Sequence, residues 1–142
     1  MKINPKEISI SRLVKSEDLN HHGTLFAGRT AEWFVESGFI AAASILNPDF
    51  LVCLKIHGMQ FKKPVKSGGI IKLVSKVVHT GKTSLISHVN VLNDDETISL
   101  VSGFITFIYV DENTKSRPHN IELILENEKD KELNQTAKNL GK

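Results

Sequence analysis

The sequence predicts one domain of the α+β class, in which a long apolar helix packs against a curved antiparallel sheet. Residues 20–46 carry apolar side chains at almost every position of the helical period. From residue 50 onward, segments rich in β-branched and aromatic residues alternate with short polar turns, without intervening helices. Short turns join antiparallel neighbours, so we expect a sheet of five to six strands wrapped around the helix.

The predicted helix is apolar around most of its circumference, which indicates that other structure surrounds it. The alanines at 41–43 favour helix over strand, and Thr24 is a candidate N-cap. The segment 47–49, Asn-Pro-Asp, ends the helix because proline disfavours helical geometry in the residue before it. Trp33 is expected in the core or in an interface.

Five segments have the composition of strands: residues 7–14, 50–61, 70–79, 83–92 and 97–110. Within the second segment, Gly58 is a candidate β-bulge, and Cys53 is predicted to be a core residue. Residues 1–120 are expected to form the domain, and the charged residues 121–142 a C-terminal tail that includes a short helix. The unpaired edges of the sheet predict a homo-oligomer.

Composition excludes several classes of protein. The 142 residues carry a formal net charge of +2, with no basic run interleaved with aromatics, which argues against nucleic acid as a partner. The single cysteine permits no internal disulfide and predicts a cytoplasmic protein. No segment has the length of a membrane-spanning helix, and the N-terminus lacks the apolar core of a secretion signal.

Three charged residues, Arg29, Glu32 and Glu36, share one stripe of the apolar helix. The simpler interpretation is a solvated stripe in which Arg29 pairs with Glu32. The alternative is a chemical site, because the polar segment 20–24 precedes the helix. The free N–H groups and the dipole at a helix N-terminus favour developing negative charge.

The neighbouring His21 and His22 suggest a metal pair or a catalytic histidine. Adjacent residues chelate one ion poorly, and no third ligand stands at a matching spacing, so we expect no metal. The simplest interpretation places both histidines in a loop at the mouth of a site, and His57, His79 and His88 on strands in structural roles.

Four motifs, in this order, resemble those of hotdog-fold acyl-CoA thioesterases of the acyl-CoA hydrolase branch. They are NHHGTLFAG at residues 20–28, MQFKKPVKSGG at 59–69, GKTSLISHVNV at 81–91 and FIYVDENTKSRP at 107–118. The resemblance covers residues 8–118. It implies a helix inside a curled sheet, active sites at a dimer interface, assembly into tetramers or hexamers, and hydrolysis of acyl-CoA without a cofactor.

The resemblance also implies roles for individual residues. Asn20 would hold the thioester or the attacking water, and the Gly28 N–H would face the thioester oxygen. Ala27, which stands where a glycine is usual, and His22 would border the substrate. The residues expected beside coenzyme A are Gly58, Met59, Lys82, Thr83, Ser84 and Arg117.

The sequence departs from the family pattern at the catalytic acid. The usual Asp or Glu lies seven residues after the second glycine, and this position is Val35. Glu36 follows it and is the predicted acid, as general base or as nucleophile. One residue turns a helical side chain by about 100°. Glu36 would therefore need a shifted helix register or a different approach angle. Loss of the acid would instead make the chain a non-catalytic acyl-CoA-binding protein.

Overall fold

The computed structural model describes residues 1–140 and contains a five-stranded antiparallel sheet with one helix on each face. The strand order is β2 (Ile8–Leu13), β4 (Ile70–Thr80), β5 (Ser84–Asn93), β6 (Ser99–Tyr109) and β3 (Leu51–Phe61). The helices are α1 (Ala27–Ala43) and α2 (Glu128–Asn139), and a small parallel pair joins β1 (Lys2–Ile3) to β7 (Glu122–Leu123). The predicted α+β class, central helix and antiparallel sheet are confirmed.

Helix α1 lies on the inner face of the sheet and packs mainly on β4 and β5. The contact is apolar except for three buried serines. The Ser75 hydroxyl donates to the Ser37 carbonyl at 2.8 Å, and Ser37 Oγ donates to Ser75 Oγ at 3.0 Å. Ser87 donates to the Gly38 carbonyl at 2.9 Å. Every buried hydroxyl therefore has a partner, which fixes the position of the helix on the sheet.

Gly38 permits the close approach of α1 to the sheet. A Cβ atom at this position would lie 2.7 Å from Ile105 Cδ1 and 3.2 Å from a methyl of Val89. Ile105 and Val89 are themselves completely buried. Interiors this dense do not absorb an extra methyl group without displacement, so Gly38 sets the distance between helix and sheet.

Strand β3 forms an edge of the sheet and pairs only with β6 among the described residues 1–140. The predicted bulge is confirmed: the register shifts between His57 and Gln60, and Gly58 has a φ of +62°. Apolar side chains along this edge are exposed, Val52 by 45% and Leu54 by 65%. An exposed apolar edge of this length is suited to pairing with another chain.

Two local predictions are wrong. Thr24 does not cap α1: the N-cap residue is Phe26, and Thr24 belongs to the preceding turn, where it bonds to Asn20. Cys53 is exposed and does not belong to the core. On the edge strand β3 it is paired with Phe107 of β6, and no second strand in residues 1–140 pairs with β3. Its apolar neighbours suggested burial, but they belong to the exposed edge.

The C-terminal segment packs on the outer face of the sheet, which the sequence did not predict. Ala137 of α2 is 1% exposed and contacts Val78 and Ile86 of the sheet. The Lys76 ammonium and the Asp130 carboxylate form an ion pair at 2.9 Å beneath the helix. The domain boundary at residue 120 stays a prediction, and residues 141 and 142 of the predicted tail lie outside the described residues.

His119 anchors the chain between the sheet and α2. Its Nε2 donates to the Ser84 carbonyl at 2.9 Å, while its Nδ1 accepts the Ile121 N–H at 2.9 Å. The ring is 9% exposed, so both of its nitrogen atoms are satisfied in a buried position. Neither helix in residues 1–140 has the length and hydrophobicity that crossing a bilayer requires.

The position of His88 beneath α2 predicts a pH-dependent stability. Burial, and to a smaller extent the Lys129 ammonium, lowers the pKa of His88 from 6.5 to about 4. The unfolded chain therefore binds this proton more readily than the folded chain. The contribution of the neutral His88 to the free energy of unfolding is fully present above pH 6.5. It is lost as the pH falls toward 4, and the loss amounts to about 3 kcal/mol at most.

Urea denaturation between pH 7 and pH 4 measures this loss. We expect His88→Gln to flatten the pH dependence of the free energy of unfolding, because its side chain does not titrate. His22→Gln, a change at an exposed site, serves as the matched control and is expected to follow the wild type. Equal slopes for the wild type and His88→Gln would contradict the assignment.

Candidate active site

A cavity of about 290 Å³ opens beneath the N-terminus of α1. It lies between the loop before the helix, the turn after β3, and the inner face of β4, β5 and β6. Its apolar wall is formed by Leu25, Val65, Ile71, Val91, Leu100 and Val101. Its rim carries Asn20, Ala27, Phe61, Lys62, Lys63 and Pro64. An apolar cavity with a few polar groups at one end is the usual form of a small-molecule site.

Free backbone donors stand at the N-terminus of α1, where Ala27 lines the cavity. Helix α1 begins at Ala27, and its first intrahelical bonds are donated by the N–H groups of Arg29 and Thr30 to the Phe26 carbonyl. Within residues 1–140, the N–H groups of Ala27 and Gly28 donate to no backbone oxygen. Together with the positive end of the helix dipole, these two groups are suited to an anionic oxygen.

The turn before α1 is held by Asn20. Its Oδ1 accepts the His22 N–H at 2.9 Å and the Thr24 N–H at 3.2 Å. Its Nδ2 donates to Thr24 Oγ1 at 3.1 Å. The amide oxygen is therefore occupied by the turn, whereas Nδ2 retains a second proton, and Asn20 lines the cavity. Asn20 is equipped to donate to a substrate oxygen.

The other three residues predicted at the helix entrance differ in whether they line the cavity. Ala27 lines the cavity. Gly28 lies beneath the Phe26 ring, and a Cβ atom at position 28 would come within 2.5 Å of that ring. His22 is exposed, stacks near His21 with ring centroids 3.9 Å apart, and does not line the cavity.

The Glu36 carboxylate faces the β2 edge and not the cavity. It forms an ion pair with the guanidinium group of Arg12, which lies 5.5 Å from the centre of the Trp33 ring. The Glu36 side chain is 52% exposed. The cavity is contacted instead by Ala27 and Thr30, which lie on other faces of the helix. Glu36 as the acid stays a prediction that this arrangement does not support.

The rest of the charged stripe is also engaged in ion pairs. Arg29 pairs with Asp18 at 3.3 Å and with Glu32 at 3.6 Å. The helix is continuous from Ala27 to Ala43, so no extra residue shifts its register at Val35. Val35 is partly buried and packs against the main core. The solvated ion-paired stripe is the interpretation that fits these contacts.

The turn residues Lys82, Thr83 and Ser84 meet the segment that contains Arg117. The Tyr109 N–H donates to the Thr83 carbonyl at 2.8 Å, and the Arg117 N–H donates to the Tyr109 carbonyl at 2.9 Å. The Arg117 guanidinium lies 4.3 Å from the Tyr109 ring centre and 4.6 Å from that of Phe50. The two aromatic rings hold the Arg117 guanidinium in place through cation–π contacts, near the exposed Lys82.

This basic cluster lies at the opposite end of the sheet from the cavity of the same chain. Leu51 at the start of β3 pairs with Tyr109, close to the cluster, and Phe61 at its end pairs with Val101 in the cavity wall. A strand of this length spans about 35 Å. Gly58 and Met59 lie between these ends: Gly58 is exposed, and Met59 packs against the main core.

The structure therefore brings Asn20 and Ala27 together at the cavity. It brings Lys82, Thr83 and Ser84 together with Arg117 at the opposite end of the sheet. Sequence reasoning missed Lys62 and Lys63, which stand at the cavity rim. Their positions could have indicated this, because both lysines lie inside the Phe-Lys-Lys-Pro-Val motif, which the sequence analysis recognised as a turn. It also missed Thr30, a buried residue of the cavity wall.

Comparison with known proteins identifies the fold and the family. The sequence model of the thioesterase superfamily matches residues 22–99. An apo-hexameric acyl-CoA thioesterase shares 26% identity and a TM-score of 0.86, with 96% of this chain and 90% of that chain covered. No protein in the curated comparison set matches the chain.

Two further solved structures are similar over most of their length. The acyl-CoA hydrolase of Staphylococcus aureus, solved with butyryl coenzyme A and coenzyme A, shares 24% identity and a TM-score of 0.82, covering 97% of this chain and 83% of that one. The acyl-CoA hydrolase of Bacillus cereus shares 24% identity and a TM-score of 0.83, covering 92% and 81%. The hotdog fold implied by the sequence motifs is confirmed.

A double-mutant cycle tests the ion pair of Arg12 and Glu36. Both side chains are partly exposed, so we expect a coupling free energy below about 1 kcal/mol from Arg12→Gln, Glu36→Gln and the double variant. Thermal or urea denaturation gives the three values. The exposed Glu17→Gln is a control that is expected to show no coupling to Arg12. A coupling above about 2 kcal/mol would contradict a solvated pair.

Proposed function

Because the chain belongs to the thioesterase superfamily, we propose that it hydrolyses acyl-CoA thioesters to a free acid and coenzyme A. The observation that carries the proposal is the apolar cavity with free N–H groups at its rim. A thioester is an apolar acyl chain joined to a carbonyl that becomes an anion during hydrolysis. The cavity and the N–H groups are complementary to these two parts.

The chemistry requires stabilisation of one oxygen atom. Water adds to the thioester carbon and gives up one proton to solvent or to a base, and the carbonyl oxygen becomes an oxyanion. The carbon–sulfur bond then breaks, and the thiolate of coenzyme A leaves. Because a thiol has a pKa near 8.5, the leaving group needs no strong acid. The N–H groups of Ala27 and Gly28 at the positive end of α1 would stabilise the oxyanion, and one such donor contributes about 10²–10³-fold in other enzymes.

Asn20 would act on the same oxygen or on the water. Its occupied Oδ1 holds the turn, and its remaining Nδ2 proton is the group available to substrate. The turn thereby supports the donor, since the bonds of Oδ1 fix the Asn20 side chain at the cavity rim.

The basic cluster reaches a cavity only in an oligomer. When two β3 edges pair in antiparallel fashion, the Phe61 end of one strand lies beside the Leu51 end of the other. The cluster of Lys82 and Arg117 from one chain then approaches the cavity of its partner, where phosphates of coenzyme A would lie. We therefore propose a dimer as the functional unit. Its assembly into a hexamer and a cytoplasmic location stay predictions.

A second function is favoured by one observation. Val35 occupies the position of the family acid, and Glu36 is held by Arg12 away from the cavity. A chain without a base near the thioester would bind acyl-CoA and cleave it slowly. The alternative proposal is therefore a non-catalytic acyl-CoA-binding protein that uses the same cavity.

Asn20→Asp separates the catalytic role of Asn20 from its structural role. Aspartate keeps the oxygen that accepts the His22 and Thr24 N–H groups but removes the amide donor. We expect kcat for thiol release from acyl-CoA to fall about 10–100-fold with little change in Tm. Thiol release followed with a chromogenic disulfide reagent is the measurement, and unchanged kcat would remove Asn20 from the chemistry.

Glu36→Gln tests the predicted acid in the same assay. Because the Glu36 carboxylate faces Arg12, we expect kcat within about threefold of the wild type. A fall of 10²-fold or more would show that Glu36 leaves Arg12 and serves as the general base. No thiol release from any acyl-CoA, together with tight binding of the ligand, would leave the non-catalytic function standing.

Leu54→Lys tests the proposed pairing of β3 edges. A lysine on this exposed strand opposes pairing with a second chain, so we expect monomers and at least tenfold lower turnover. Leu13→Lys is the matched control, because Leu13 is an equally apolar, 53% exposed residue on the opposite edge strand. Analytical ultracentrifugation gives the assembly state. An intact dimer of Leu54→Lys with full activity would contradict the proposed interface.

A further inference from the structure

We infer that the cavity beneath α1 binds the hydrocarbon part of the substrate and selects straight acyl chains of about six to ten carbons. This inference rests on the proposed function, since it assigns the acyl group of the same thioester. It goes further by naming the substrate class and the residues that limit it.

The deep wall of the cavity is apolar and well ordered by packing. Ile71 and Val91 are each 1% exposed, and Val101 is 3% exposed. These residues come from three adjacent strands and face α1, so they cannot withdraw without disrupting the core. A wall of this kind interacts favourably with methylene groups, at up to about fourfold in affinity for each group that it buries.

The volume sets the limit of chain length. A cavity of about 290 Å³ is about twice the size of an engineered apolar cavity of about 150 Å³ that binds the six carbons of benzene. By this comparison the whole space holds roughly twelve carbons. Part of this space lies at the open mouth, so the enclosed portion accommodates about six to ten carbons. A longer chain would leave its terminal carbons in water or displace Val91 and its neighbours.

The charges at the rim define which end of the substrate enters the cavity. Lys62 and Lys63 stand at the mouth and are exposed, and Ala27 with its free N–H lies at the same rim. Coenzyme A is polyanionic, and a cationic mouth favours its position outside the cavity. The thioester then lies at the rim, and the hydrocarbon chain extends inward.

The deep wall lacks a partner for a charged chain end. Thr30 is the polar side chain of the wall, and its hydroxyl donates to the Phe26 carbonyl at 3.4 Å. A carboxylate at the far end of the acyl chain would lose its hydration without a compensating cation. The cavity therefore selects monocarboxylic acyl groups against dicarboxylic acyl groups of equal length.

Val91→Phe is the direct test, with kcat/KM measured on straight-chain acyl-CoA esters from two to sixteen carbons. For the wild type we expect kcat/KM to rise with chain length and to level off between six and ten carbons. Adipoyl-CoA should be at least 50-fold poorer than hexanoyl-CoA. For Val91→Phe we expect at least a tenfold loss on decanoyl-CoA and at most a threefold loss on butyryl-CoA. A profile that Val91→Phe leaves unchanged would overturn the inference.

Two further variants control for the packing change. Val91→Ala enlarges the cavity and should move the preferred length upward by about two carbons, which gives a second test if Val91→Phe does not fold. Val89→Ala removes the same atoms from the same face of β5, but Val89 does not line the cavity. It should preserve the chain-length profile. A shift in Val89→Ala as large as that in Val91→Ala would overturn the assignment to the cavity.

Failure of the proposed hydrolysis is distinguishable from failure of this inference. If no ester releases thiol, the same series of acyl chains is presented as non-hydrolysable thioethers of coenzyme A, and Kd is measured by calorimetry. Affinity that rises to six to ten carbons and falls in Val91→Phe supports the cavity as the acyl site of a binding protein. Affinity independent of chain length in the wild type overturns it.

Discussion

The contact of α1 with the inner face of the sheet is the constraint on which the rest of the molecule depends. Gly38 brings the helix close enough that a methyl group at that position would collide with Ile105. The hydroxyls of Ser75 and Ser87 bind carbonyls of the helix at 2.8–2.9 Å. These bonds are directional and buried, so they hold the helix in one position along its axis. That position places the first N–H groups of α1 above the cavity.

The same placement separates two kinds of polar group. Asn20 and the free N–H of Ala27 lie at the cavity rim, whereas Glu36 is directed to Arg12 at the β2 edge. Within residues 1–140, the cavity therefore has N–H donors at its rim but no carboxylate from α1 in its lining. In the proposed hydrolysis, water would be activated by solvent or by a group on a partner chain, or it would react slowly without a base. Whether a base stands near the thioester is what distinguishes an efficient hydrolase from a binding protein.

Much of the fold was predictable because its signals are local. The apolar helix, the alternating strands and the bulge at Gly58 follow from residue type and period. The fit of Gly38 and the cavity itself were not predictable, since both depend on contacts between distant segments. The exposure of Cys53 has the same origin: whether an apolar strand is central or lies at an edge depends on the strand order. The resemblance to thioesterases supplied the region of the site but not the direction of Glu36.

The most direct test of this account is photocrosslinking with a thioether analogue of octanoyl-CoA that carries a diazirine at its terminal carbon. The acyl chain is expected in the cavity, so mass spectrometry should find the label on the wall strands at Ile71, Val91 or Val101, with competition by octanoyl-CoA. Label found instead along β3 or on the outer face beneath α2 would contradict the placement of substrate, and with it the role assigned to the N-terminus of α1.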